Sequence, residues 1–272
     1  MHAPRIAVTL SNPQRAANPT SAVQKNEWYL AALRAAGAAP LPLDDTTRPD
    51  DVEAALGSMD GLLISGGADL DTALYGEPRS GAHEPDEGRD ALDALAFAAG
   101  VRRGVPVLGI CRGLQAINVF SGGRLVQHVE GHESHPESVT RHPLSVKPGT
   151  RLASLLGGPG ALEVNSFHHQ AVSPEGVAPG LRITATAWHP EIGELVEGLE
   201  SEDPGRWLIG IQCHPERVDS SPPVFVELWR SFVAAAAARA VEGEATGGEA
   251  TGGEPAVIGP RSGQQRSAEQ QR

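Results

Sequence analysis

Residues 106–123 read PVLGICRGLQAINVFSGG. A short apolar run stops at Cys111, and apolar residues then recur at helical spacing, which predicts a strand over 106–110 that breaks directly into a helix. Cys111 stands between Gly109 and Gly113, the spacing of a nucleophile elbow with sulfur in place of oxygen. Glycines belong on both sides because a strand turning sharply into a helix brings backbones together and leaves no room for side chains. A cysteine projecting from such a turn lies near the positive end of a helix, which favours the attacking thiolate. The competing reading is packing, since a free cysteine also behaves as a small buried hydrophobe.

Outward from this stretch, strands are expected at 5–10, 39–43 and 61–65, with helices at 22–37, 48–60 and 88–104 between them. Strands alternating with helices build βαβ units around a parallel sheet covered on both faces. Beyond residue 124 the rhythm changes. RLVQHV (124–129), HPLSV (142–146), LEVNSF (162–167), LRITATAW (181–188), GELVEGL (193–199) and WLIGIQCHPE (207–216) read as strands, and 223–241 as a closing helix. The domain is expected to occupy 1–240. Residues 241–272, where EATGG occurs twice from Glu244, have little to bury and are expected to be disordered.

Composition narrows the function. Of the 272 residues 40% are hydrophobic and 21% charged, ordinary values for a globular chain. A formal charge of −12 argues against nucleic-acid and anionic-membrane partners, which need clustered Lys and Arg. No apolar run approaches the ~20 residues of a bilayer span, and the first residues lack a secretion-signal pattern. A cytoplasmic location is therefore expected. Two cysteines do not make a secreted disulfide framework; free thiols are expected, with a disulfide left open.

A nucleophilic cysteine needs a base, and the base an orienting group. GIQCHPER supplies His214 and Glu216, and residues at i and i+2 of an extended segment share a side, so the carboxylate can reach the imidazole. The alternatives are a solvated histidine and a surface acid.

Cys111 in GICRGLQ with His214 and Glu216 in GIQCHPE resembles the class I glutamine amidotransferase superfamily. Within it the chain is most similar to the γ-glutamyl-γ-aminobutyrate hydrolases of the peptidase C26 group, through GLLISGGADLDTALYGE (61–77), EPDEGRD (84–90) and VNSFHHQAV (164–172). The resemblance implies a three-layer α/β sandwich with a mostly parallel, flavodoxin-like central sheet. It also implies a Cys111–His214–Glu216 triad, a thioester intermediate and no cofactor. The oxyanion hole would come from backbone N–H groups at Gly67 and Arg112. The implied substrate is a small γ-glutamyl amine, with polyamine breakdown one of the open pathways.

Gln115, four residues after the nucleophile, is expected at the glutamyl end of the substrate. The polar stretch NSFHHQ adds Asn165, Ser166, His168 and His169 as candidate contacts, although each of these is also able to brace a loop. His128, His132 and His135 in HVEGHESH suggest a metal, but the stretch lacks the partner cluster of a closed site; it is read as a solvated loop, and no metal is assigned. Cys213 is read as packing. Two other functions remain open: a glutaminase subunit passing ammonia to a separate synthetase, and a non-catalytic binding protein on the same scaffold. Self-association is left open as well.

Overall fold

The computed structural model describes residues 2–134 and 138–245. Five strands come first in the reckoning: β1 (Arg5–Thr9), β2 (Ala39–Leu43), β3 (Gly61–Ile64), β4 (Val107–Ile110) and, much later, β9 (Leu208–Ile211). They pair in parallel in the order β2-β1-β3-β4-β9. Between them in sequence run β5 (Thr140–Val146), β6 (Gly160–Ser166), β7 (Leu181–His189) and β8 (Gly193–Ser201), which extend the sheet antiparallel as β9-β8-β7-β5-β6. The nine-stranded sheet is thus mixed: its parallel half matches the expected architecture, and its other half is a continuous antiparallel extension.

Helices cover both faces. Strand residues alternate between two cores, as a period of two demands. Ile6, Val8, Leu63, Leu108, Ile110, Ile209 and Ile211 face a layer built from α1 (Pro19–Ala35), α5 (Arg151–Leu155) and α6 (Val226–Ala245). Ala7, Leu62, Ile64, Val107 and Leu208 face α2 (Pro49–Ser58), α3 (Glu87–Arg103) and α4 (Arg112–Phe120). The inner parallel strands β1, β3, β4 and β9, buried at almost every position, therefore read as unbroken apolar runs; the edge strand β2 is buried only at Leu43.

Helix ends follow local chemistry. Asn18 caps α1 by accepting from Ser21 N–H at 3.0 Å, with Pro19 in the first turn, so the helix begins before the expected residue 22. Asp86 caps α3, and Gly104 ends it at φ 64°. The expected strand at 124–129 is a correction. Val126 exchanges backbone hydrogen bonds with Ala171, and Val129 donates to His169; the segment lies along the HHQ loop rather than inside the sheet. Helix α6 continues to Ala245, past the expected boundary at 240, and the rest of the expected tail, 246–272, lies outside the described residues.

Candidate active site

Cys111 sits at the junction of β4 and α4 with φ 54° and ψ −109°, the one positive φ outside glycine among the described residues. A side chain held in such a region costs about 1–3 kcal/mol and persists only where its surroundings over-determine it. The flanking glycines show what those surroundings are. A Cβ at Gly113 would lie 2.0 Å from Ile64 O, and one at Gly109 would lie 2.5 Å from Gly113 O. Backbone of β3, β4 and α4 converges here so closely that the turn has a single shape.

A buried ionic network holds the turn from below. The Arg112 guanidinium hydrogen-bonds both Asp90 and Asp93 of α3. Arg89 Nε donates to Asp93 Oδ1 at 2.9 Å, and its NH2 donates to the carbonyls of Thr9 (2.9 Å) and Ser65 (3.2 Å) at the ends of β1 and β3. Sequence reasoning missed this role. Its signal was present: Arg89 and Asp93 share the face of α3 that carries Ala96 and Gly100, so two charges interrupt a sheet-facing stripe and have to be paired.

The candidate base, His214, lies in the turn that follows β9. The Nδ1–H of His214 donates to Glu216 Oε1 at 2.6 Å, which leaves Nε2 as the basic nitrogen. Nε2 is buried and makes no hydrogen bond among the described residues. Burial of the ring opposes its charge, but the Glu216 carboxylate and the neighbouring Cys111 sulfur outweigh this and lift the imidazolium pKa to about 10. Asn165 grips the backbone of the same residue twice: its Oδ1 accepts from His214 N–H at 2.8 Å, and its Nδ2 donates to His214 O at 3.0 Å. Tyr29 of α1 is a further neighbour that the sequence did not reveal. Its hydroxyl accepts from Gly66 N–H at 3.1 Å and lies 3.4 Å from His214 Nδ1. Burial, followed by the charges of Glu216 and Cys111, pushes its pKa well above the ordinary value, so it stays a phenol.

Cys111, His214, Glu216 and Gly67 line one cavity of about 490 Å³. Its outer wall carries Lys25, Arg217, Glu133, Ser134 and Phe167. The Arg217 guanidinium lies over the Phe167 ring at 3.7 Å from its centre. Burial, and then the Arg217 charge, lowers the Lys25 pKa.

The remaining sequence candidates lie elsewhere. None of Gln115, Asn165, Ser166, His168 and His169 lines this cavity, because each has a partner that draws it into the scaffold. Gln115 Nε2 donates to Gln170 O at 2.9 Å and to Gln212 Oε1 at 3.3 Å, and Gln212 Nε2 in turn approaches Cys111 Sγ at 3.5 Å. Ser166 Oγ donates to His132 O at 2.6 Å, His168 Nδ1–H donates to Gln170 O at 2.9 Å, and His169 Nε2 meets Asp69 Oδ1 at 2.9 Å. These residues brace the site where substrate contact was expected. Arg112 faces away through its side chain, while its backbone N–H belongs to the first turn of α4, whose N–H groups lack intrahelical partners. Cys213 is a free thiol buried in the core beneath α6, and burial pushes its pKa far up. His132 is buried, in contrast to the solvated loop expected, and His135 lies outside the described residues.

A doubly covered sheet, a strained cysteine between strand and helix, and an imidazole–carboxylate pair in the turn after β9 define an α/β fold of the class I glutamine amidotransferase type. The glutaminase domain of Trypanosoma brucei CTPS shares it, with a TM-score of 0.59 at 16% identity over 86% of this chain and 94% of that one. Residues 4–216 match the Peptidase C26 family, and the chain belongs to that family. A Mycobacterium tuberculosis protein of the glutamine amidotransferase type is 37% identical over 199 residues, 70% of this chain and 61% of its own length. The γ-glutamyl-γ-aminobutyrate hydrolase PuuD of Escherichia coli is 30% identical over 249 residues, 86% of this chain and 94% of that one. Among the described residues no helix is long and apolar enough to cross a membrane.

Proposed function

We propose that this chain is an amide hydrolase that cleaves the γ-glutamyl bond of small γ-glutamyl amines through a thioester on Cys111. The observation that carries the reading is the strained Cys111 backbone placed in one cavity with the hydrogen-bonded His214–Glu216 pair. Strain at a nucleophile is maintained where a pre-aimed thiol is useful, and Cys111, itself buried, lines the cavity.

In the proposed cycle the Cys111 thiolate adds to the γ-carbonyl, and the carbonyl oxygen becomes an anion. Gly66 N–H is already engaged by Tyr29, so the N–H groups of Gly67 and Arg112 are the donors that remain for that oxygen. Removing one such donor typically costs ~3 kcal/mol of transition-state stabilisation. The His214 imidazolium gives its Nε2 proton to the departing amine, the C–N bond breaks, and a thioester remains. Neutral His214 then takes a proton from water as the water attacks the thioester, which releases glutamate and restores the thiolate–imidazolium pair.

The cavity wall suits a zwitterionic glutamyl group: Lys25 and Arg217 offer cations for its α-carboxylate, and Glu133 an anion for its α-ammonium. The named activity of the PuuD relative points the same way. The test is glutamate release by the purified chain from γ-glutamyl-γ-aminobutyrate and from glutamine. Turnover of the former without added protein is expected, lost in Cys111→Ala and largely kept in Cys213→Ala. Idling on both until a synthetase is added would instead mark an ammonia-donating subunit.

A further inference from the structure

We infer that His132, His142, His168 and Glu197 form a closed, four-ligand site for a divalent first-row metal ion, zinc by its donor set, outside the catalytic cavity. Four separate segments bring them together: the loop after α4, strand β5, the turn after β6, and strand β8. Glu197 Oε1 lies 3.7 Å from His168 Nε2 and 3.9 Å from His142 Nε2. One ligand atom each from His132, His142 and Glu197 lies within 4.8 Å of the others; His168 stands outside that group of three and approaches it through Glu197.

The hydrogen bonds decide the chemistry. Each ring has its Nδ1 against a backbone carbonyl: Glu130 O for His132 at 3.3 Å, Pro143 O for His142 at 3.3 Å and Gln170 O for His168 at 2.9 Å. Nδ1 therefore carries the proton in all three, and Nε2 carries the lone pair. Metal-binding histidines are anchored in this way, with the outer nitrogen fixing tautomer and ring direction. All three Nε2 atoms, and both oxygens of Glu197, are buried and have no hydrogen-bond partner among the described residues. Glu197 is 0% exposed. Separations of 3.7 and 3.9 Å are too long for hydrogen bonds, so the cluster presents acceptors to acceptors. A cation satisfies all of them at once. Zinc bonds of ~2.0–2.1 Å place tetrahedral ligands roughly 3.4 Å apart, so the two Glu197–histidine pairs would close by about half an ångström, and the other separations, within 4.8 Å among His132, His142 and Glu197, by more as the side chains turn onto the ion. Three imidazoles and one carboxylate suit zinc, and four protein ligands leave no open position, the mark of a structural site.

Two neighbouring groups show the contrast. His189, whose ring centre is 5.4 Å from that of His132, donates from Nε2 to Glu130 O and accepts at Nδ1 from the N–H groups of Glu191 and Ile192, so it has no lone pair to offer. In the Asp69, His83 and His169 group, His169 is already engaged by Asp69 at Nε2 and by His128 at Nδ1, and His83 is exposed.

The proposed ion would act as a clasp on the catalytic cavity. Glu133 and Ser134, which line that cavity, directly follow His132, and Phe167, which also lines it, directly precedes His168. Ser134 Oγ already hydrogen-bonds Ser166 O, joining the two segments. This inference does not depend on which amide is cleaved.

The test uses the full chain without an affinity tag, dialysed against EDTA, then against zinc chloride, and assayed by elemental mass spectrometry. About one tightly held equivalent is expected in the wild type, kept in His83→Ala and at least ~10-fold weaker in Glu197→Gln and His168→Asn. Cobalt loading is expected to give the intense visible bands of a tetrahedral ion in the wild type. Zinc is expected to raise the wild-type melting temperature and to leave that of Glu197→Gln unchanged. Failure of the wild type to hold zinc would overturn the inference whatever the variants do. So would zinc that survives Glu197→Gln and His168→Asn but is lost in His83→Ala.

Discussion

Glu216→Gln isolates the charge that keeps His214 protonated. Burial alone would hold this ring neutral; the Glu216 carboxylate at 2.6 Å, followed by Cys111, raises its pKa from 6.5 to about 10. That rise corresponds to an upper bound of about 5 kcal/mol in favour of imidazolium in the folded protein. Because the folded value is the higher one, the stabilisation is fully present below pH 6.5 and is lost as pH rises through about 10. The glutamine isostere keeps the volume and removes the charge. With ¹⁵N-labelled histidine, the wild-type His214 signal is expected to remain imidazolium through neutral pH, and that of the variant to titrate at least ~2 pH units lower. Denaturant unfolding between pH 6.5 and about 10 is expected to show the wild type losing stability and the variant a flatter curve. Glutamate release is expected to fall ~10²–10⁴-fold, the usual contribution of an acid–base group. Equal His214 titration in both proteins, or a wild-type stability curve no steeper than that of the variant, would refute the reasoning.

Gly113→Ala forces a Cβ to 2.0 Å from Ile64 O, a contact with backbone that side-chain movement cannot relieve; a loss of at least ~3 kcal/mol in chemical denaturation is expected. Asn165→Ala removes both backbone bonds to His214; kcat is expected to drop with KM nearly unchanged, and stability to fall by ~2–4 kcal/mol as two buried groups lose their partner. Unaltered kcat in that variant would show that His214 is held by Glu216 and Tyr29 alone.

Local patterns made part of this molecule readable from its residues. GICRG announced the turn because the steric demand of a strand breaking into a helix falls on adjacent residues; His214 and Glu216 were readable as a pair, but the expected extended segment ends at Ile211, and they meet in a turn where Arg217 N–H donates to His214 O at 3.3 Å. The parallel strands announced themselves as apolar runs between helices. What escaped was set by distant partners. Gln115 and Asn165 look like substrate ligands in sequence, yet their amides are taken by Gln170 O and by the backbone of His214, which no local spacing discloses. Tyr29 lies at helical spacing among core residues and gives no sign of the hydroxyl's task. HVEGHESH looked like a solvated loop because the residues that meet His132 come from β5, the turn after β6, and β8.

Strand β4, which ends at Cys111, is flanked by β3 on one side and by β9, the last of the described strands in the sequence, on the other. Until β9 emerges from the ribosome, the most apolar edge of the half-built sheet has no neighbour, and an unpaired edge of that kind invites association between nascent chains. The same order brings His214 to Cys111 only after β9 has been made, so the proposed nucleophile gains its proposed base last.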